Sequence, residues 1–208
     1  MPHSELGLRE RKRLATRQSI QRAVLTLAAE RGFENVTVEE VSREADIAPR
    51  TFFNYFPTKE AALIGDFPDV ASPDAVARFV AGEPHGELFA DLGELMGEQF
   101  EGFTGDRELH QLRHAVFRES PHLSKLHFAN LRDMEERFAA IIRQRLELDA
   151  KRRGRQVASD DAWLLSNIAS ATMRSAFMEW ARTTDEIPLA DRVRRAFSSV
   201  HRVVEEYR

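Results

Sequence analysis

Arg50, Asn54 and Lys59, with Pro49 and Thr51 beside them, are side chains whose types suit recognition of a nucleic acid. A guanidinium such as that of Arg50 can donate two hydrogen bonds to a guanine edge, and an amide such as that of Asn54 can read adenine or bond a phosphate. Pro49 and Thr51 can touch a thymine methyl. Lys59, beside the free amides of a helix start, suits the sugar–phosphate backbone. Arg17, and the helix start at Thr37, can hold flanking phosphates. Base reading requires such residues on one short helix laid in a major groove, with the opposite face of that helix anchored.

The stretch from Thr37 to Lys59, TVEEVSREADIAPRTFFNYFPTK, supplies that arrangement. Thr37 and Glu40 have the spacing of a capping box, so a helix starts at Thr37 and runs to about Glu44. Val38 and Val41 form its apolar stripe. Ala45-Asp46-Ile47 makes a tight turn in which Asp46 can adopt the left-handed conformation. Pro49 suits the first position of a second helix, and Pro57 ends it. Two short helices joined this tightly are a helix-turn-helix. Phe52 and Phe56 then point inward, and Pro49, Arg50, Thr51, Phe53, Asn54 and Tyr55 face the groove. A longer helix over Glu10–Arg31, closed by Gly32, precedes the motif, and Thr58 caps a fourth helix from Lys59.

Residues 13 to 64 resemble the DNA-binding domain of the TetR family of transcriptional regulators. The resemblance rests on Thr16, Ile20, Ala23, Gly32-Phe33, Thr37-Val38, Val41, Ala45, Ile47, Thr51, Tyr55-Phe56-Pro57, Lys59-Glu60 and Leu63, in that order and spacing. The chain departs from the family pattern at Asp46 (commonly Gly), Ala48 (commonly Ser), Phe52 (commonly Leu) and Phe53 (commonly Tyr). The resemblance implies an all-α homodimer that binds a palindromic operator, usually as a repressor, and is released by a small effector. It also implies that Tyr55 contacts a phosphate.

The boundary expected from the sequence gives a head over residues 1–65 and a helical effector and dimerisation domain over 66–208. Apolar residues at three- and four-residue spacing predict helices over Gly86–Phe103, Asp106–Glu119 and Pro121–Asp149, another from a cap at Ser159 to Arg182, and a last one from Pro188. Asp66–Ser72 reads as a connector and AKRRGRQVAS as a basic loop. Ten of the fourteen phenylalanines lie from Phe67 onward. With the resemblance, this suggests an apolar or amphipathic effector walled by some of Phe89, Phe100, Phe117, Phe128, Met173, Phe177 and Trp180. Arg113, His114 and Asn167 are candidate polar anchors. The dimer seam is expected on Ile168, Ala171 and Ser175 of one helix and Val193, Phe197, Val200 and Val204 of the next, four helices pairing across a two-fold axis. The same stripes can instead be core within one chain.

Composition narrows the classes. The 208 residues carry a net charge of −4, so bulk charge does not mark a nucleic-acid binder. Between Arg9 and Arg22, however, six basic residues face one acid, a local phosphate-binding signature. The absence of cysteine excludes disulfides and thiol catalysis and fits a reducing cytoplasm. No apolar run is long enough to span a membrane, and the first residues lack an apolar signal core. No phosphate-binding Gly loop, GxSxG or HExxH motif points to an enzyme, and nothing calls for a cofactor. His110 and His114 are four apart on a predicted helix, a spacing that also occurs among ordinary histidines, so no metal is assigned from sequence.

Overall fold

The computed structural model describes residues 7–65, 71–101, 103, 105–154, 156, 158 and 160–206, in which ten α-helices and no strand occur. The chain divides into two compact units, Met1–Asp66 with Gly105–Ala129, and Phe67–Thr104 with Asn130–Arg208.

The first unit contains α1 (Leu8–Arg31), α2 (Val38–Glu44), α3 (Pro49–Tyr55), α4 (Lys59–Ile64), α7 (Arg107–Glu119) and the first turns of α8 (Pro121–Arg153). Each short helix has a local reason to begin. The Thr37 hydroxyl accepts from the Glu40 amide at 3.2 Å while the Glu40 carboxylate accepts from the Thr37 amide at 3.0 Å, a complete capping box. These bonds from Thr37 hold the Glu40 carboxyl below its usual range. Asp46 adopts φ 54° in the turn, and α3 starts with Pro49 after Ala48, which makes no side-chain cap. Thr58 accepts from the Ala61 amide at 3.1 Å and starts α4. Ile20, Val24, Leu27, Phe33, Val41, Phe52, Phe56 and Leu63 are buried.

The segment Gly105–Ala129 belongs with this head rather than with the residues that surround it in sequence. Asp106 explains part of this. It caps α7 by accepting from the Leu109 amide at 3.1 Å, and it pairs with Arg22 of α1. Arg113 donates to the Leu63 carbonyl at 2.9 Å, satisfying an end carbonyl of α4. Burial lowers the basicity of Arg113.

The second unit contains α5 (Pro73–Ala81), α6 (Leu88–Gly97), the remainder of α8, α9 (Asp161–Arg182) and α10 (Leu189–Glu206). Its core includes Phe79, Leu92, Phe138, Ile142, Met173, Trp180, Val193 and Phe197. α6 ends earlier than periodicity suggests and passes into a 3-10 turn over Glu98–Phe100. α8 instead continues through Arg153, so Lys151, Arg152 and Arg153 form a basic last turn that suits the helix dipole. The expected cap at Ser159 and most of the Asp66–Ser72 connector lie outside the described residues.

Glycine lets α6 and α10 approach closely. A Cβ on Gly93 would stand 3.1 Å from Phe197 Cβ, and one on Gly97 3.0 Å from Arg194 Cγ. Arg194 crosses the same seam to Glu94 (2.8 Å) and Glu101 (2.6 Å). Arg145 is fully buried. It donates to Asp91 (3.0 Å), Asp149 (2.7 Å) and the carbonyls of Phe79 (2.7 Å) and Gly86 (3.2 Å). Desolvation opposes its charge, but Asp149 and Asp91 outweigh that and hold its basicity above the usual arginine range. Gly82, at φ 93°, leaves room for the guanidinium.

Candidate nucleic-acid interface

α3 is anchored by one face and open on the other. Phe52 is completely buried, Phe56 nearly so, and the two rings lie 6.2 Å apart. Pro49, Arg50, Phe53 and Asn54 are exposed, and Thr51 and Tyr55 are half-buried. Phe53 is 57% exposed; its ring packs edge-on with Phe52, centroids 5.4 Å apart.

Arg17 fixes the far end of α3. Its Nη1 donates to the Tyr55 carbonyl at 2.8 Å and its guanidinium lies 4.0 Å from the centre of the Phe56 ring. One residue therefore satisfies an end carbonyl of α3 and ties it to α1. Lys59 is committed in a similar way. Its ammonium donates to the carbonyls of Phe33 (3.1 Å) and Val36 (2.9 Å) and lies 4.3 Å from the Phe33 ring centre. Sequence reading assigned both cations to phosphates; the geometry gives each a positioning role within the head. Thr37 likewise spends its hydroxyl and amide on the capping box.

Between α1 and α3 lies an open cleft of about 820 Å³. Arg9, Lys12, Arg13, Thr16 and Arg17 form one wall, and Thr51, Asn54 and Tyr55 the other. No acidic side chain is among its lining residues. Arg9, Lys12 and Arg13 were legible only as a basic run; the four-residue steps from Arg9 to Arg13 to Arg17, with Lys12 three after Arg9, were the signal that places them along one helix face. The cleft thus brings four cations beside the base-reading candidates, a layout for a polyanionic backbone next to a groove.

The expected effector residues are divided between the two units. Arg113, His114, Phe117 and Phe128 belong to the first unit; Phe89, Phe100, Asn167, Met173, Phe177 and Trp180 belong to the second. Phe128 is 60% exposed, so it is not a buried wall. Arg113 is engaged with Leu63, and the Asn167 amide donates to the Trp163 carbonyl on its own helix at 2.8 Å. Phe117 is buried and tilts against the His127 ring at 4.7 Å. In the second unit, Phe100, Phe103, Phe177 and Trp180 pack on one another edge-on, with centroids 5.2 to 6.4 Å apart. Phe89 lies against the same core as Met173.

The dimer stripe is corrected in part. Val193 and Phe197 are fully buried and pack in the core of their own unit, because Gly93 and Gly97 admit α10 against α6. Val200 is half-buried, and the side chain of Val204 lies outside the described residues. On α9, Ala171 and Ser175 are exposed, Ile168 is half-buried and Leu164 is 59% exposed.

His110 and His114 face each other on α7, Nε2 to Nε2 at 3.1 Å. Burial, then His114, then Arg113, hold the His110 pKa down at about 4 from an ordinary value near 6.5. The unfolded chain therefore binds this proton more readily than the folded one. Stability contributed by neutral His110 is present near pH 7 and is lost as pH falls from about 6.5 toward 4. His110→Gln should flatten that part of a stability–pH profile measured by denaturant unfolding; an unchanged slope would contradict the burial argument.

The fold and this interface define a class, a helix-turn-helix head joined to a helical second unit. Comparison with known proteins agrees. The family model described as bacterial regulatory proteins, tetR family, matches residues 20–64. The HTH-type transcriptional regulator TcmR of Streptomyces glaucescens is 31% identical over 152 residues, 69% of this chain and 66% of TcmR. The regulator MftR of Mycobacterium tuberculosis (strain ATCC 25618 / H37Rv) is 41% identical over 68 residues, 32% of this chain and 33% of its own length. The chain thus spans just under two thirds of the first relative and one third of the second. A solved TetR family transcriptional regulator from Pseudomonas syringae pv. tomato str. DC3000 shares 23% identity at a TM-score of 0.47, over 88% of this chain and 93% of that one. The chain belongs to the TetR family of transcriptional regulators. That family consists of regulators rather than enzymes. No helix among the described residues is long and apolar enough to cross a membrane.

Proposed function

We propose that this chain is an operator-binding regulator, a repressor that reads a palindromic DNA site as a homodimer and is released by a small apolar or amphipathic effector. The observation that carries the reading is α3: a helix pinned by Phe52, Phe56 and Arg17, with Pro49, Arg50, Phe53 and Asn54 turned outward beside the basic cleft. Arg50 reads a guanine, Asn54 an adenine or a phosphate, Pro49 and Thr51 a thymine methyl, and Tyr55 binds a phosphate. Arg9, Lys12 and Arg13 hold the backbone, and Arg17, Thr37 and Lys59 set the position of α3 and its neighbours.

Arg50→Ala should weaken operator binding by about 1 to 3 kcal/mol and relax the preference at one position of each half-site, the usual size of a bidentate base contact. Gel shifts on the operator and on a scrambled duplex check this. Equal losses on both duplexes would remove Arg50 from base reading.

A symmetric pair is supported by what α9 and α10 leave uncovered. Leu164, Ile168, Ala171, Ser175 and Met178 follow a three- and four-residue spacing on α9, and Val203 on α10 is 45% exposed. The small residues allow a second copy to approach closely, and Leu164 supplies the apolar area. Light scattering at micromolar concentration should give twice the chain mass; a monomer would contradict this seam. Effector release follows from linkage: a ligand favouring a head spacing that misses successive major grooves must lower operator affinity, and operator must lower ligand affinity by the same factor. The aromatic cluster of Phe100, Phe103, Phe177 and Trp180 is the apolar surface of the second unit best suited to such a ligand.

A further inference from the structure

We propose that His110 and His114 form a two-coordinate protein site for a first-row transition-metal ion of the Cu2+, Ni2+ or Zn2+ type, with water in the remaining positions. The proposal does not rest on DNA binding. The two imidazoles stand one turn apart on the same face of α7, their Nε2 atoms are 3.1 Å apart, and their ring centres are 4.6 Å apart. Metal–imidazole bonds are about 2.0 to 2.1 Å long. Arms of that length on two nitrogens at 3.1 Å enclose an angle of about 98° at the metal. That lies between the 90° or so of square-planar and octahedral shells and the roughly 109° of a tetrahedral one. The separation of the two nitrogens therefore already matches a chelating bite.

The scaffold around the pair is held at both ends. Asp106 caps α7 and pairs with Arg22. Arg113, between the two histidines in sequence, is fastened to the Leu63 carbonyl of α4. A preformed bite of this kind avoids the ordering cost that a flexible pair would incur. Imidazole nitrogen selects borderline ions and rejects Mg2+ and Ca2+, which take oxygen donors. Among the described residues no third histidine or carboxylate converges on the pair, so solvent completes the shell. The Arg113 charge, which already acts on His110, opposes the cation and weakens the site. The step is a substitution: the two Nε2 lone pairs replace two waters of the ion, and a ring that carried its proton on Nε2 passes it through solvent to its own Nδ1, so that both imidazoles bind neutral.

The test is titration calorimetry on the tag-free full chain, dialysed against EDTA and then into a non-coordinating buffer, with Cu2+, Ni2+, Zn2+ and Mg2+ as probes. Expected are one ion per chain, Cu2+ tighter than Ni2+ as the general affinity order requires, and no binding of Mg2+. His110→Gln and His114→Gln should each weaken binding by roughly 10- to 100-fold or more, since losing a ligand costs no less than losing a supporting partner. Absence of saturable binding, or affinity retained in either variant, would overturn the proposal. Should a variant fail to fold by circular dichroism, the wild-type Cu2+ complex decides: its paramagnetic resonance spectrum should show coupling to two imidazole nitrogens, and coupling to one or none would exclude the site.

Discussion

Arg145→Ala should destabilise the second unit by about 3 to 5 kcal/mol, the usual penalty for removing one partner of a buried ion pair. The Asp91 side chain is completely buried and its Oδ2 is 3.0 Å from the Arg145 guanidinium. Without that cation the carboxylate keeps one bond, from the His85 amide at 2.8 Å, and its charge has no counter-ion. The Phe79 and Gly86 carbonyls lose their donor as well. Phe79 lies in the last turn of α5 and Gly86 just before α6, so Arg145 fastens the turn between these helices onto α8. Denaturant unfolding followed by tryptophan fluorescence isolates the effect, because Trp163 and Trp180 both lie in the second unit. The paired change Arg145→Met with Asp91→Leu removes both charges and should recover much of the loss. A single-variant loss below about 1 kcal/mol would contradict the account of this network.

The combined variant Arg9→Ala, Lys12→Ala, Arg13→Ala should almost abolish operator binding at moderate salt. Each phosphate contact contributes roughly 0.9 to the slope of log affinity against log salt concentration. At about 0.1 M salt that amounts to roughly eightfold per contact, so three contacts together contribute about 500-fold, near 3.7 kcal/mol. The three residues are exposed and line the cleft beside Thr51, Asn54 and Tyr55, so the variant should fold normally. The slope should fall by about 2.7 and the ranking of operator variants should stay the same, since phosphates carry no sequence information. A fluorescence-anisotropy titration across salt concentrations measures both. A parallel line displaced downward, with no change of slope, would show that these cations do not touch DNA.

Residues with local consequences were the ones most readable from sequence. Thr37 with Glu40, Asp46 in the turn, Pro49 at a helix start and Thr58 before α4 each act within four residues, and all appear in the structure as their chemistry predicts. Phe52 and Phe56 were readable because a short helix must bury one side. Tertiary partners were harder. Lys59 and Arg17 sit where a phosphate contact is plausible, but a cation beside helix ends can equally satisfy carbonyls, and only the fold shows Phe33, Val36 and Tyr55 within reach. The apolar stripe on α10 could not say whether Val193 and Phe197 meet a second chain or the same one; the sign was in α6, where Gly93 and Gly97 stand four apart and make room. The placement of Gly105–Ala129 with the head depended on Arg22–Asp106 and Arg113–Leu63, contacts between residues far apart in sequence. Aromatic richness after Phe67 was visible, yet whether rings pack on one another or wall a ligand is set by their three-dimensional arrangement.

Selection of bound duplexes from a random pool by the purified full chain, in low and then physiological salt, tests the central claim most directly. Enrichment of a palindrome whose half-sites are centred about one helical turn apart, or a multiple of it, is the predicted result. Recovery of no common sequence, at a salt concentration where the protein still retains DNA, would contradict it.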